Sequence, residues 1–464
     1  MSDPYEQFIE GKRATATVAG IDDPGDLHPS LFPFQRDIVR WALRRGKAAI
    51  WADCGLGKTW MALEWAAKVH EHTGGRILIL TPLAVAAQFV SEGKQMGISV
   101  TLCREAVDIT DGINVTNYDR LARFDPANFD GVVLDESSIL KDFTSKTRTL
   151  IIDAFRETPF RLACTATPSP NDFTELGNHA EFLGIMTRVE MLSMYFIHDG
   201  GSTQDWRLKG HARDDFWRWL CEWAVALRLP SDLGYSDDGF ILPPMRIIHH
   251  VVSTDMDELS RERGLLFVNT RMGLSDQRTA RKLSLADRVT LAADLVNASD
   301  EPWIVWCDLN DESAKLTAAI DDAVEVKGAD SPESKELAID EFRTGASRVI
   351  VTKPAICGWG VNWQHCAHVV FVGVTHSFER WYQALRRTYR FGQRREVQCH
   401  VVTSEAERGV VDSLARKQAD AERMVSEVSK RFGSSWSADA AGRDHISYNP
   451  NHPMTIPAWV GVDS

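Results

Sequence analysis

The sequence predicts an α/β chain of two lobes, each a parallel sheet flanked by helices. Three observations carry that expectation. A strand, a glycine loop and a helix follow one another between Ala48 and His72. Four further short apolar runs alternate with helix-length segments behind them. From Met245 a second alternation begins that lacks a glycine loop of its own.

The first element is the most informative. Ala48-Ala-Ile-Trp-Ala runs apolar to Asp53, turns through Gly55 and Gly57, and enters a helix from Trp60 to His72 that Gly74-Gly75 closes. Glycines let successive N–H groups converge on an anion, and the following helix offers its positive end. Lys58 adds an ammonium for phosphate and Thr59 a hydroxyl for Mg²⁺, so Gly55, Gly57, Lys58 and Thr59 are expected to seat a nucleoside triphosphate. Ala52 stands where the Gly-x-x-x-x-Gly-Lys-Thr pattern has its first glycine. Just upstream, Leu31-Phe-Pro-Phe-Gln35 opens an amphipathic helix, and the Gln35 amide can pair with both a donor and an acceptor on an adenine edge.

The apolar runs Ile77–Leu80, Ile113–Thr116, Val132–Leu134 and Arg161–Cys164 suit parallel strands covered on both faces. The third ends in Asp135-Glu136-Ser137-Ser138. Ligands sit beyond the carboxyl ends of such strands, which puts this pair beside the phosphate loop. Asp135 is expected to hold Mg²⁺ and Glu136 to orient and deprotonate water. Residues 173–244 read as a helical, tryptophan-rich insert whose aromatic spacing marks a buried helix face rather than a base-stacking platform. Asp199–Ser202 and Ser231–Gly239 read as surface loops, and Pro243-Pro244 as a hinge.

In the second half, Ile247–Val252, Trp303–Trp306, Val349–Val351, His368–Val374 and Val397–Val402 read as strands, with a long helical stretch from 252 to about 298. The expected domains are an arm over 1–28, a first lobe over 29–244, a second over 245–432 and a loose tail over 433–464. Gln383-Ala-Leu-Arg-Arg387-Thr-Tyr-Arg390 places Gln383, Arg387 and Arg390 on one face of a helix, and guanidinium groups suit a developing phosphoryl charge. Gly358-Trp-Gly360-Val-Asn362 is a glycine turn suited to phosphates. Cys357, His365, Cys366 and His368 crowd together, but their spacing matches no paired metal knuckle.

Bulk properties bound the rest. The 464 residues are 44% hydrophobic and 25% charged, with net charge −13 and eight cysteines scattered singly. No run is long enough to cross a bilayer, and the N-terminus has no secretion-signal order, so an intracellular chain is expected, with a nucleic-acid surface that is local rather than global.

Taken together, Phe34-Gln35, Gly55–Thr59, Thr81-Pro-Leu83, Asn117-Tyr118, Asp135–Ser138, Thr165–Pro168, Gly358–Asn362 and Gln383–Gln393 resemble, in order, the motifs of superfamily 2 helicases and translocases of the Swi/Snf type. Compact stand-alone versions carried by bacteriophages are the most similar. The resemblance implies two RecA-like lobes clamping ATP and Mg²⁺ between them and tracking along nucleic acid. It implies catalysis by Lys58 and Glu136 completed by Arg387 and Arg390, nucleotide contacts from Gln35, Gly360 and Gln383, and metal held by Thr59 and Asp135. Pro82, Asn117, Tyr118 and Asn362 would lie toward the polynucleotide. Asp-Glu-Ser-Ser in place of Asp-Glu-Ala-Asp points to DNA over RNA, duplex DNA rather than single-stranded is the expected partner, and Arg386 stands where the Swi/Snf pattern favours Asp. A monomeric motor is expected; the alternative is an ATP-gated switch that recruits a partner protein through helix 405–432.

Overall fold

The chain forms two α/β lobes in a computed structural model that describes residues 20–198, 206–253, 281–358, 361–374 and 377–439. The first lobe is a seven-stranded sheet in the order β3-β4-β2-β5-β6-β1-β9. Its strands are β1 (Lys47–Ala52), β2 (Ile77–Thr81), β3 (Val100–Leu102), β4 (Ile113–Asn117), β5 (Gly131–Asp135), β6 (Phe160–Cys164) and β9 (Ala224–Leu227). Every pairing in it is parallel. Continuous apolar runs are what such a sheet needs, because alternate side chains enter different cores. Ile50, Ile79, Val133 and Leu162 go to one face, and Trp51, Leu78, Leu80, Val132, Leu134 and Ala163 to the other.

The second lobe is a six-stranded sheet in the order β10-β15-β14-β11-β13-β12, again wholly parallel. It comprises β10 (Met245–Val252), β11 (Trp303–Trp306), β12 (Ala323–Glu325), β13 (Val349–Thr352), β14 (His368–Val372) and β15 (Val397–Ser404). Because all strands in a lobe run one way, the chain segments leaving their carboxyl ends collect at one rim, where ligands bind in open parallel sheets.

Several sequence expectations are corrected. Residues 173–244 are not a purely helical insert: β9 closes the first sheet beside β1, and β7 (Phe196–His198) pairs antiparallel with β8 (Trp206–Leu208). Cys221-Glu-Trp-Ala-Val-Ala-Leu carries no turn residue, so the helix Arg213–Trp223 and β9 read as one run. The break comes at Ala224, whose φ of −130° and ψ of 136° start a strand that only pairing with β1 can select. Trp217, Trp219 and Trp223 are core, as their spacing predicts. β3 and β12 are three residues each, too short for a period to show. The arm joins lobe one from residue 20, with Ile21 and Leu27 buried in its core. Loop 199–202 and most of the stretch 252–298 fall outside the described residues; within the latter, Leu285–Asn297 is helical.

The C-terminal helix runs Arg408–Asp439, past the expected end at 432. It is about 48 Å long at 1.5 Å per residue and straps the lobes together. Val410 and Leu414 sit in the lobe-two core, whereas Met424 and Val428 sit in the lobe-one core. Ser429 Oγ donates to Ala226 O at 2.9 Å, and Lys417 Nζ to Asn171 Oδ1 at 2.9 Å. Apolar residues along this helix are therefore packed against the chain's own two lobes. Among the described residues no helix is long and apolar enough to cross a membrane.

Candidate active site between the lobes

The phosphate loop forms as its residues require. β1 ends at Ala52, and Gly55 (φ +90°) and Gly57 (φ +79°) take left-handed conformations before the helix Lys58–Thr73. A Cβ on Gly57 would come 2.3 Å from Gln35 Nε2, and one on Gly55 would come 2.7 Å from Phe391 Cβ of the second lobe, so neither position admits a side chain. No side chain caps the helix and no acid occupies its first turn, which leaves the positive end to an external anion. Lys58 Nζ donates to Ala52 O at 2.7 Å and to Asp53 O at 3.2 Å, so its ammonium lies over the loop, with Thr59 half-buried beside it. Gln35 lies against the loop: its Nε2 donates to Leu56 O at 2.8 Å and its Oε1 accepts from Phe32 N at 2.9 Å, which leaves one amide hydrogen and one oxygen lone pair beyond these two bonds.

The carboxylate pair follows β5. Asp135 is buried and accepts from Thr81 Oγ1 at 2.9 Å. Burial first, and the neighbouring Glu136 second, push its carboxyl up to about 7, against the pull of Thr81 and Lys58. A desolvated acid beside a second acid and a hydroxyl is a donor set that a hard divalent cation fits. Glu136 holds φ +59°, ψ 54°, a conformation that costs a non-glycine residue about 1–3 kcal/mol and persists only where its surroundings enforce it. Three donors converge on it. Thr165 Oγ1 (2.5 Å) and Ser138 Oγ (3.1 Å) donate to Oε1, and Gln383 Nε2, from the second lobe, donates to Oε2 at 3.3 Å.

Behind the pair, Ser137 Oγ lies 3.1 Å from His179 Nε2, and burial lowers this imidazole to about 4. An unfolded histidine takes up its proton near 6.5, whereas the folded one stays neutral to about 4. The sign follows: stability is untouched above 6.5 and is lost as pH falls through that window, by about 3 kcal/mol at about 1.4 kcal/mol per unit. Denaturant titrations at pH 7 and 4.5 are expected to show this loss in the wild type and to show it diminished in His179→Phe.

The second lobe brings its cations in a turn rather than on a helix. The helix Phe378–Leu385 ends with Arg386 as its cap, so Arg387 and Arg390 lie beyond it and do not share a helical face with Gln383. Gln393 fixes that turn, donating from Nε2 to Gln364 O (3.0 Å), Cys366 O (3.1 Å) and Thr388 O (3.3 Å). Arg387 is buried and folds back, with Nε to Gln383 O and Nη2 to Gln383 Oε1, both at 2.9 Å, and Nη1 to Val361 O at 3.2 Å. Burial lowers it to about 10. Arg390 is half-buried with a 3.5 Å contact from Nη1 to Val361 O, and its charge reaches Arg387 and Glu92.

Sequence reasoning missed several contributors. Asp53, inside the loop, pairs with Arg386, and its Oδ1 accepts from the Tyr382 hydroxyl. Thr165 serves the Glu136 carboxylate, and Lys141 pairs across the lobes with Glu379. An acid in the loop, together with a distant Arg386-Arg387 pair of which it could hold one member, was the available signal for the first.

The expected polynucleotide contacts divide. Asn117 is buried and caps the next turn by accepting from Arg120 N at 3.1 Å. Tyr118 is buried beneath the carboxylates, its hydroxyl donating to Asp135 O at 2.7 Å. Hydrogen bonds within lobe one hold both side chains inside. Pro82 is half-buried and Asn362 exposed; Gly360 lies outside the described residues. Cys357 and Cys366 are buried thiols; Cys366 Sγ lies 3.1 Å from Pro302 O and 3.2 Å from His368 O, either of which can accept its one proton.

Among solved structures the chain is similar to one described as "Sulfolobus solfataricus SWI2/SNF2 ATPase core in complex with dsDNA", at 17% sequence identity and a TM-score of 0.42, over 88% of this chain and 96% of that one. A search of curated proteins found no match. A family model of the helicase conserved C-terminal domain matches residues 287–392, the part of lobe two that runs from the helix Leu285–Asn297 into the arginine turn.

Proposed function

We propose that the chain is a DNA-dependent ATPase that hydrolyses ATP between its lobes and uses the cycle to move along duplex DNA. The observation that carries this reading is the sharing of Glu136: Thr165 of lobe one and Gln383 of lobe two donate to the two oxygens of one carboxylate. A carboxylate held that way changes its surroundings whenever the lobes move, which couples turnover to shape. The helicase C-terminal match over 287–392 supports a motor lobe.

In this reading Lys58 and the loop amides hold the β- and γ-phosphates. Thr59 and Asp135 would hold Mg²⁺, which would supply charge neutralisation on the phosphate oxygens. Glu136 orients the attacking water and takes its proton, and Arg390, with Arg387 behind it, meets the charge that develops on the transferred group. Pro82 and Asn362 lie toward the polynucleotide.

ATP turnover measured with no nucleic acid, single-stranded DNA, duplex, fork and RNA at fixed salt tests the reading. Duplex is expected to stimulate at least about tenfold, and the effect to weaken steeply between about 50 and 200 mM salt as phosphate contacts are screened. Equal turnover with and without nucleic acid would overturn it. Tight nucleotide-dependent DNA binding without displacement of a roadblock would favour a gated switch instead.

A further inference from the structure

Arg386 stands apart from its neighbours. Its Nη2 meets Asp53 Oδ2 at 2.5 Å, its Nη1 donates to Tyr389 O at 3.3 Å, and its guanidinium lies 4.9 Å from the Tyr382 ring and 5.3 Å from that of Tyr389. Both members of the ion pair are only 14% exposed. Asp53 is equally committed. Besides Arg386 it accepts from the Tyr382 hydroxyl, and its Oδ1 receives Cys54 N at 2.6 Å, the first amide of the phosphate loop proper. One carboxylate therefore grips the loop's own backbone and two side chains of the opposite lobe. Two residues further along the loop, the backbone of Phe391 from the same arginine turn comes so near Gly55 that a Cβ there would lie 2.8 Å from Phe391 N.

A guanidinium engaged by a buried carboxylate and a carbonyl is not available to a phosphate, and separating it would strand a charge on each side. What the pair can do is fix a distance. Arg387 and Arg390 follow Arg386 directly, so wherever Asp53 holds Arg386, the turn that carries them is held too.

We propose that Arg386 is a positioning residue: through Asp53 it pins the arginine turn of lobe two to the phosphate loop of lobe one, setting the spacing at which Arg390 faces the phosphates. The clasp is a structural link whether or not the chain hydrolyses ATP, and its effect on turnover rests on the function proposed above.

Hydrogen exchange on the full chain reads the link without any activity. Arg386→Gln is expected to speed exchange of amides 54–57 about tenfold or more, and Asp53→Asn to speed exchange across 387–392 likewise. The double variant should be no faster than the quicker single, since both break one interaction. Substitutions that loosen only their own segment would overturn the clasp. In turnover assays Arg386→Gln and Asp53→Asn should each lose about 10²-fold, the loss that a small misplacement of a catalytic group brings. The double should lose no more, and Arg386→Lys, which keeps the charge, should recover to within about tenfold of wild type. A loss in Arg386→Gln with Asp53→Asn unaffected would make Arg386 a phosphate contact and overturn the proposal. Should Arg386→Gln fail to fold, Tyr382→Phe removes one bond to Asp53 and leaves the charges, and a smaller reciprocal change in exchange is then expected. A wild type that hydrolyses no ATP would refute the proposed function while the exchange experiment still decided the clasp.

Discussion

Arg390→Ala is expected to lower ATP turnover about 10³- to 10⁵-fold while leaving nucleotide affinity and thermal stability close to wild type. The three arginines of the turn are committed to different degrees. Arg386 is bound to Asp53, and Arg387 gives its donors to Gln383 and Val361. Arg390 retains a single 3.5 Å contact among the described hydrogen bonds and keeps its charge within reach of the site. A guanidinium in that condition can turn toward a transferring phosphoryl group without breaking a buried interaction. Arg387→Ala should differ in kind. It strips partners from Gln383 and Val361, so a lowered unfolding midpoint should accompany its loss of turnover, and measuring both rates and midpoints separates the two residues. Equal turnover in Arg390→Ala and wild type would remove this arginine from the reaction.

Glu136→Gln should reduce turnover by at least about 10²- to 10⁴-fold, the range that a positioned base supplies, and should also weaken contact between the lobes. The carboxylate accepts from both sides at once. An amide in its place presents NH₂ on one side. Turned toward Gln383, that NH₂ opposes another NH₂, and Gln383 cannot flip to relieve this because its Oε1 already accepts from Arg387. Turned the other way, it faces the Thr165 and Ser138 hydroxyls and displaces the 2.5 Å bond. Single-turnover kinetics would show the chemical step failing, and an interlobe distance measured by paired labels would show a wider distribution. An unchanged distribution would mean that the Gln383 contact does not couple the lobes.

The legible part of the site was the part written in consecutive residues. Gly55, Gly57, Lys58 and Thr59 act through local backbone geometry and the end of one helix, so their positions follow from their spacing. The same holds for Asp135 and Glu136 at the end of a buried strand. Gln35, Asn117 and Tyr118 carry groups that serve a ligand or the main chain equally well, and only the packing of lobe one shows the main-chain bonds they make. Arg387 and Arg390 were correctly grouped with Gln383 but set on a helix that ends at Leu385, because Gln393 and Thr388 hold a turn whose bonds reach back to Gln364 and Cys366.

By itself the sequence determined two parallel-sheet lobes, a phosphate loop in the first and a cationic segment in the second. Period, glycine placement and charge are properties of neighbouring residues, and they suffice for elements that form locally. Tertiary structure alone decided that β9 completes the first sheet, that the last helix spans both cores, and that Asp53 holds Arg386. Those outcomes join residues 175 to 333 positions apart in the chain, and which partner meets a buried charge or a strand edge is settled by burial and pairing across that distance, which no local pattern records.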